Sequence, residues 1–188
     1  MWLGLALWLW ILIIIVALLI LILIYYYNKF VILDNRIDNS LAQIDVQLKK
    51  RADLVPALIS SVKGYAKHEK SMIDTVTKAR TEMLKAGNIA AKVKAGDKLQ
   101  NALKSIFALA ENYPNLKANE NFLQLQNELA AIEDKVAYSR QFYNDSVLSL
   151  QNASKVFPGV IFFRMFGRKD KQYLKIPEAS RAMPEVEF

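Results

Sequence analysis

The chain of 188 residues has no cysteine and one histidine, His68. Without cysteine there is no disulfide framework and no thiolate chemistry, which fits a reducing compartment. One histidine cannot build the usual zinc site, which draws on Cys, His and carboxylate clusters. It also cannot supply the Glu-x-x-His pairs of a di-iron bundle. His68 stands in Lys67-His68-Glu69-Lys70 and reads as a solvated or hydrogen-bonded side chain. There is no P-loop, no dinucleotide fingerprint and no Gly-x-Ser-x-Gly elbow. Asp34, Asp38 and Asp45 lie along one helical stretch, but carboxylates four apart are by default exposed neighbours. No residue is therefore assigned to catalysis, to a cofactor or to a metal, and the chain is expected not to be an enzyme. Glycine and proline are sparse, six and five. Ala, Leu, Lys, Glu, Gln and Asn dominate, which favours helix over strand.

Charge is missing from the first twenty-seven residues, Met1 to Tyr27. As a helix, the run to Ile24 is roughly 36 Å long, enough to cross a hydrocarbon core of about 30 Å with some tilt. A cleaved signal peptide would carry a basic n-region, a shorter apolar run and a small-residue cleavage site. Here no basic residue precedes Lys29, and three tyrosines stand where cleavage would fall, so a retained anchor is expected. Trp2, Trp8 and Trp10 at one end, and Tyr25, Tyr26 and Tyr27 at the other, resemble interfacial aromatic belts. Lys29 and Arg36, then Lys49, Lys50 and Arg51, come after the span, so the positive-inside rule places the C-terminal part of the chain in the cytoplasm.

The net charge is +7 and unevenly spread. Residues 119–154 hold two basic and five acidic side chains, residues 85–118 six basic and two acidic, and residues 155–188 seven basic and four acidic. The ordinary reading is an acidic helix beside more basic ones, mixed charge being typical of solvated helix faces. The functional alternative is a basic surface near anionic headgroups. The lysines form no concentrated stripe and belong to no known nucleic-acid module, so nucleic acid is not expected as a partner.

After the anchor, about 160 residues remain, one domain's worth. No glycine or proline falls between Leu5 and Val55, so the span is expected to continue as helix into the domain. Ile37, Leu41, Ile44, Leu48 and Val55 form an a/d-type seam. Pro56 predicts a kink or a new helix start there, with Asp53 as a candidate N-cap. A second helical stretch carries Leu58, Val62, Tyr65, Met72 or Ile73, Val76, Ala79 and Met83 on one face and contains Gly64, for which a close helix contact is one explanation. It ends near Ala86-Gly87-Asn88. Residues 88–98 read as a polar, basic loop, and Asp97 as the cap of a third helix bearing Leu99, Leu103, Ile106, Leu109 and Ala110. Asn119 reads as the cap of the fourth. There Phe122, Leu125, Leu129, Ile132, Val136, Ser139, Phe142 or Tyr143 and Val147 recur every three or four residues as far as Lys155, the cleanest amphipathic pattern in the chain. Pro158-Gly159 ends it. The tail groups Val160, Ile161, Phe162, Phe163, Met165 and Phe166 with Arg164, Arg168, Lys169, Lys171 and Lys175, before Pro177 and Pro184. Those aromatics either plug one end of the bundle or touch the membrane, with Phe162, Phe163 and Phe166 at the interface and Arg164, Arg168 and Lys169 at headgroups. The expected fold is all-α: one N-terminal transmembrane helix (1–28) continuous with a long antiparallel bundle of about four helices (29–157), then an aromatic and basic tail (158–188).

Several stretches carry a resemblance. They are Gln43-Ile44-Asp45-Val46-Gln47-Leu48-Lys49-Lys50-Arg51 with Asp53-Leu54-Val55-Pro56, and Val62-Lys63-Gly64-Tyr65-Ala66-Lys67-His68-Glu69. Further on stand Tyr113-Pro114-Asn115-Leu116-Lys117 running to Phe122, then Ile132-Glu133-Asp134-Lys135-Val136 running to Asp145, and Phe157-Pro158. Together these resemble the LemA family of bacterial membrane proteins, over nearly the whole chain. The resemblance implies one N-terminal span, a bundle of long antiparallel helices and a relationship to a protein of the magnetosome membrane set. It supplies no enzyme activity.

Polar residues in these stretches are candidate contacts. Arg36, Gln43, Asp45, Arg51 and Asp53 lie on the first helix, and Glu133, Arg140 and Asp145 on the last. Pairs such as Arg36 or Arg51 with Asp145 or Glu133 would fix helix register, since a buried pair specifies geometry more than it adds stability. The alternative is a polar groove for a partner. The leading expectation is a single-pass, non-enzymatic scaffold of the bacterial cell membrane that self-associates and orders or shapes the bilayer. Gly4 and Ala6 would help the span pack, although no Gly-x-x-x-Gly motif is present. The second is an adaptor presenting its bundle to one protein, such as a membrane protease or sensor kinase. The third is a carboxylate hydrolase using Asp45 or Glu133.

Overall fold

A computed structural model describes residues 2–65 and 69–174, with side chains from Leu7 onward. His68, Lys175, Pro177 and Pro184, and the side chains of Trp2, Gly4 and Ala6, lie outside the described residues. Every regular element among the described residues is a helix: α1 (Trp2–Lys63), α2 (Lys70–Lys85), α3 (Ile89–Ala110), α4 (Pro114–Lys117), α5 (Glu120–Lys155) and α6 (Gly159–Met165). The protein is an all-α helical bundle with one long apolar N-terminal helix.

α1 contains Pro56 and carries on to Lys63 without a break, so no new helix starts at the proline and Asp53 lies inside α1. The chain then turns at Gly64 and Tyr65 before α2. The expected second stretch is thus two elements: Leu58 and Val62 end α1, and Ile73, Val76, Ala79 and Met83 form the buried stripe of α2. Among the described residues Gly64 makes no close contact, since a β-carbon there would come no nearer than 3.8 Å, to the Ser61 carbonyl. Residues 89–98 are helix and not loop. Asn88 caps α3, its Oδ1 accepting from the Ala91 amide at 2.8 Å, and so Asp97 lies inside the helix and not at its start. Gly96 is where two helices approach: a β-carbon there would stand 2.6 Å from Leu48 Cδ2. Asn119 does cap α5, accepting from the Phe122 amide at 3.0 Å.

The chain divides into two compact units. The larger takes Ser40–Phe142. Its core holds Ile44, Leu48, Val55 and Leu58 of α1, Leu99, Leu103 and Ile106 of α3, and Phe122 and Leu129 of α5. Paired residues give the direction of its helices. Asp45 bonds to Lys92 and Arg51 to Gly96, so α1 and α3 advance together. Arg140 reaches Val93 and Asp97 while Glu133 reaches Gln100 and Lys104, so α5 runs antiparallel to α3. The smaller unit joins α1 as far as Asn39 to Tyr143–Tyr173. Phe30, Leu33 and Ile37 are buried there, with Tyr143, Val147, Leu150 and Phe163.

Candidate functional site

Two groups of side chains stand apart from ordinary helix packing, one in each unit. In the larger unit they are arginines. Arg51 is 2% exposed, and its bond to the Gly96 carbonyl is long, 3.4 Å from Nη1. Burial lowers its pKa, with Glu133 and Asp97 opposing that shift and Arg140 adding to it. A guanidinium stays protonated nonetheless, so a charge is held in the core by nearby carboxylates. Arg140 is also buried and donates to Asp97 Oδ1 at 2.5 Å and to the Val93 carbonyl at 3.4 Å. The Nε atoms of both arginines are buried without a hydrogen-bond partner among the described residues. Removing one member of such a group strands the rest, which makes it a strong constraint on how helices register even where its net stabilisation is small.

Asp45 pairs with Lys92 at 2.6 Å. Glu133 accepts from Gln100 and lies 3.3 Å from Lys104. The expected direct pairing of Arg51 with Glu133 is therefore replaced: Glu133 turns to α3 and acts on Arg51 only as a neighbouring charge. Asp53 and Asp145 are exposed on their helices, as is Arg36. The partners that sequence reasoning missed, Lys92, Asp97, Gln100 and Lys104, all lie on α3. Their signal was present in Ile89, Val93, Leu99 and Leu103, which keep helical spacing behind an N-cap asparagine. Beside this group, Gln43 and Gln47 of α1 and Asp134, Lys135, Tyr138 and Ser139 of α5 line a groove of about 330 Å³. Tyr138 is 71% exposed at it, and Gln47 Oε1 is buried without a partner.

In the smaller unit the group is aromatic. Phe162 stacks on Tyr26 at 5.1 Å between ring centroids, Phe163 meets Phe30 edge-on at 5.3 Å, and Phe166 meets Tyr27 edge-on at 5.4 Å. Gly159 is buried, and a β-carbon there would run into the Ala153 carbonyl and stand 3.0 Å from Tyr26. Lys29 lies over the rings of Tyr25 and Tyr26 at 5.7 and 5.8 Å, within cation–π range. Arg168 pairs with Asp34 and lies 5.9 Å from the rings of Tyr27 and Phe30. The tail helix is thus clamped where α1 changes from an uncharged run to a charged one. Of the six tail residues suggested by sequence, Arg164 and Lys169 are exposed, Phe162, Phe166 and Arg168 are partly covered, and Phe163 is buried. Among the described residues no cluster of three or more His, Cys, Asp or Glu is gathered as a metal would require.

A helical bundle with a helix apolar and long enough to cross a bilayer defines a membrane-associated helical protein. Residues 40–188 match the LemA family model, and the chain belongs to the LemA family. It is similar to Protein LemA of Metamycoplasma hominis, 26% identical over 121 residues, covering 62% of this chain and 54% of the relative. It is also similar to the magnetosome proteins MamQ 2 and MamQ 1 of Paramagnetospirillum magneticum, each 23% identical over 144 residues, covering 63% of this chain and 53% of the relative. The chain thus spans about half the length of the curated relatives it matches.

Proposed function

We propose that this protein is a membrane-anchored, non-enzymatic scaffold that self-associates and organises or shapes the bilayer, with its bundle in the bacterial cytoplasm. The observation that carries this reading is the continuity of α1. One unbroken helix runs from Trp2 to Lys63, so the uncharged run and the first bundle helix are a single element. An anchor joined in this way meets the bundle without a flexible linker. The names of two relatives as magnetosome proteins agree with a role at a membrane assembly. The test is the particle size of the full chain in mild detergent by mass photometry, beside crosslinking in cells. Assemblies of several copies are expected, and a monomer in both settings sinks the reading.

One observation favours a second reading, an adaptor for one protein such as a membrane protease or sensor kinase. The groove between Gln43 and Tyr138 carries an exposed aromatic ring and an unpartnered buried acceptor, features that suit a polar partner. Pull-down from native membranes separates the two readings. One stoichiometric foreign protein, lost in Tyr138→Ala, supports the adaptor, and recovery of the chain alone supports the scaffold.

A further inference from the structure

The aromatic clamp uses up one side of α6 and leaves the other side bare. Gly159, Phe162 and Phe163 face α1. Ile161 and Met165, one turn apart and so on a common face, are 54% and 56% exposed. In the turn before the helix, Val156 and Phe157 are 63% and 76% exposed. Four large apolar side chains at this exposure within ten residues are unusual for a surface bathed in water.

Their position says what covers them. α6 is clamped to Tyr26, Tyr27 and Phe30, immediately past Ile24, the last residue of the apolar run before the tyrosines. When that run spans a bilayer, this is the level of the headgroups, where tyrosines concentrate. Lys155, Arg164 and Lys169, close to these positions in the chain, are exposed, as is the acidic Asp170, and Lys29 lies on the clamp itself. The acidic Asp34 is already engaged by Arg168. Bare apolar side chains with a net excess of cations beside them in the chain form the pattern of a segment lying in the headgroup–acyl boundary of an anionic leaflet.

We propose that Val156, Phe157, Ile161 and Met165 form a second membrane contact that dips into the bilayer interface beside α1, while Phe162, Phe163 and Phe166 hold α6 at that level. This shifts the lipid-facing role from the aromatic residues that the sequence made conspicuous to their neighbours. It rests on the reading of α1 as an inserted anchor.

The chain has no native cysteine, so single labels are clean. Ile161→Cys and Phe157→Cys carry a bimane probe, with Ile15→Cys as a control within the span and Tyr138→Cys as a control exposed on the larger unit. Each protein is reconstituted in phosphatidylethanolamine–phosphatidylglycerol vesicles with or without nitroxide-bearing lipid, and acrylamide serves as the aqueous quencher. Far-ultraviolet circular dichroism confirms that each variant is folded. Probes at 157 and 161 are expected to emit at shorter wavelength than the probe at 138, to be quenched by shallow nitroxide lipid and to be protected from acrylamide. Acrylamide access at 161 equal to that at 138, with 15 quenched by lipid, overturns the proposal and leaves the anchor intact. Protection at 161 from both quenchers overturns it in favour of contact with a second copy. A probe at 15 untouched by lipid quencher overturns the anchor and this inference together.

Discussion

Gly96 and Tyr143 each carry a constraint that can be read at a single atom. Gly96 has only hydrogen where a β-carbon would press on Leu48 Cδ2 at 2.6 Å, and Leu48 is 1% exposed, so its methyls have no open space to move into. Alanine would gain about 0.5–1 kcal/mol from helix preference, against about 1–3 kcal/mol for overpacking a filled core. Gly96→Ala should therefore lower stability by about 1 kcal/mol in thermal unfolding. Adding Leu48→Val should recover part of the loss, since the two sites share one contact. Tyr143 is buried and donates its hydroxyl to the Gln172 carbonyl at 2.8 Å. Burial raises its pKa above the ordinary 10.0, and the negative charge of Asp38 raises it further. A folded-state pKa above the unfolded value means that this contribution is complete below about pH 10 and fades as pH rises through the folded value. Tyr143→Phe should cost about 1 kcal/mol at neutral pH through the lost hydrogen bond. Its melting temperature should then fall less steeply than the parent's above pH 10. Equal slopes for both proteins would remove the assignment.

The helices as elements were legible wherever apolar spacing was long and regular, and illegible where composition imitated a loop. Phe122, Leu129, Ile132 and Val136 announced α5, and Asn119 announced its start; all four apolar residues are buried and the cap bond is present. Asn88 caps α3 in the same way, yet it read as the start of a loop and Asp97 as the cap, because the small and basic residues after Asn88 resembled a linker. The reason is physical: Ala95 and Gly96 are buried because they are small, which lets α1 and α3 approach closely. A hydrophobicity pattern does not register residues buried for their size. The candidate site suffered in consequence, since Arg51, Arg140, Asp45 and Glu133 were noticed without the partners that α3 brings to them. Gly64 and Gly96 exchanged roles for the same cause: one marks a chain turn, the other a helix contact. Because Asn88 Oδ1 satisfies the Ala91 amide, Asn88→Ala should destabilise the larger unit by about 1 kcal/mol. Hydrogen exchange should rise first in residues 89–94. Asn88→Asp should restore most of the loss, and an unprotected first turn already present in the parent would refute the capping role.

On the scale of the whole molecule, the division into two units predicts how the chain responds to losing its apolar run. Every core residue named for Ser40–Phe142, and the group of Arg51, Asp97 and Arg140, lies beyond residue 28. The smaller unit depends on Tyr26 and Tyr27, which hold Phe162 and Phe166. A chain beginning at Lys29 should therefore unfold with its main thermal transition within a few degrees of the full-length one in detergent. α6 should loosen, because two aromatic contacts and their buried area together contribute about 1–3 kcal/mol. Hydrogen exchange resolved by mass spectrometry should show protection lost over residues 159–165 and kept over residues 99–106. The same truncated chain should fail to float with anionic vesicles as a stable complex. A single short interfacial helix supplies far less binding than a spanning helix, so the second contact alone does not hold the protein on the bilayer. If self-association needs the anchor, mass photometry should find the truncated chain monomeric. If assemblies persist, self-association resides in the bundle and does not need the anchor. Loss of the main transition on truncation would instead mean that the larger unit cannot fold without the apolar run, and the independence of the two units would have to be abandoned.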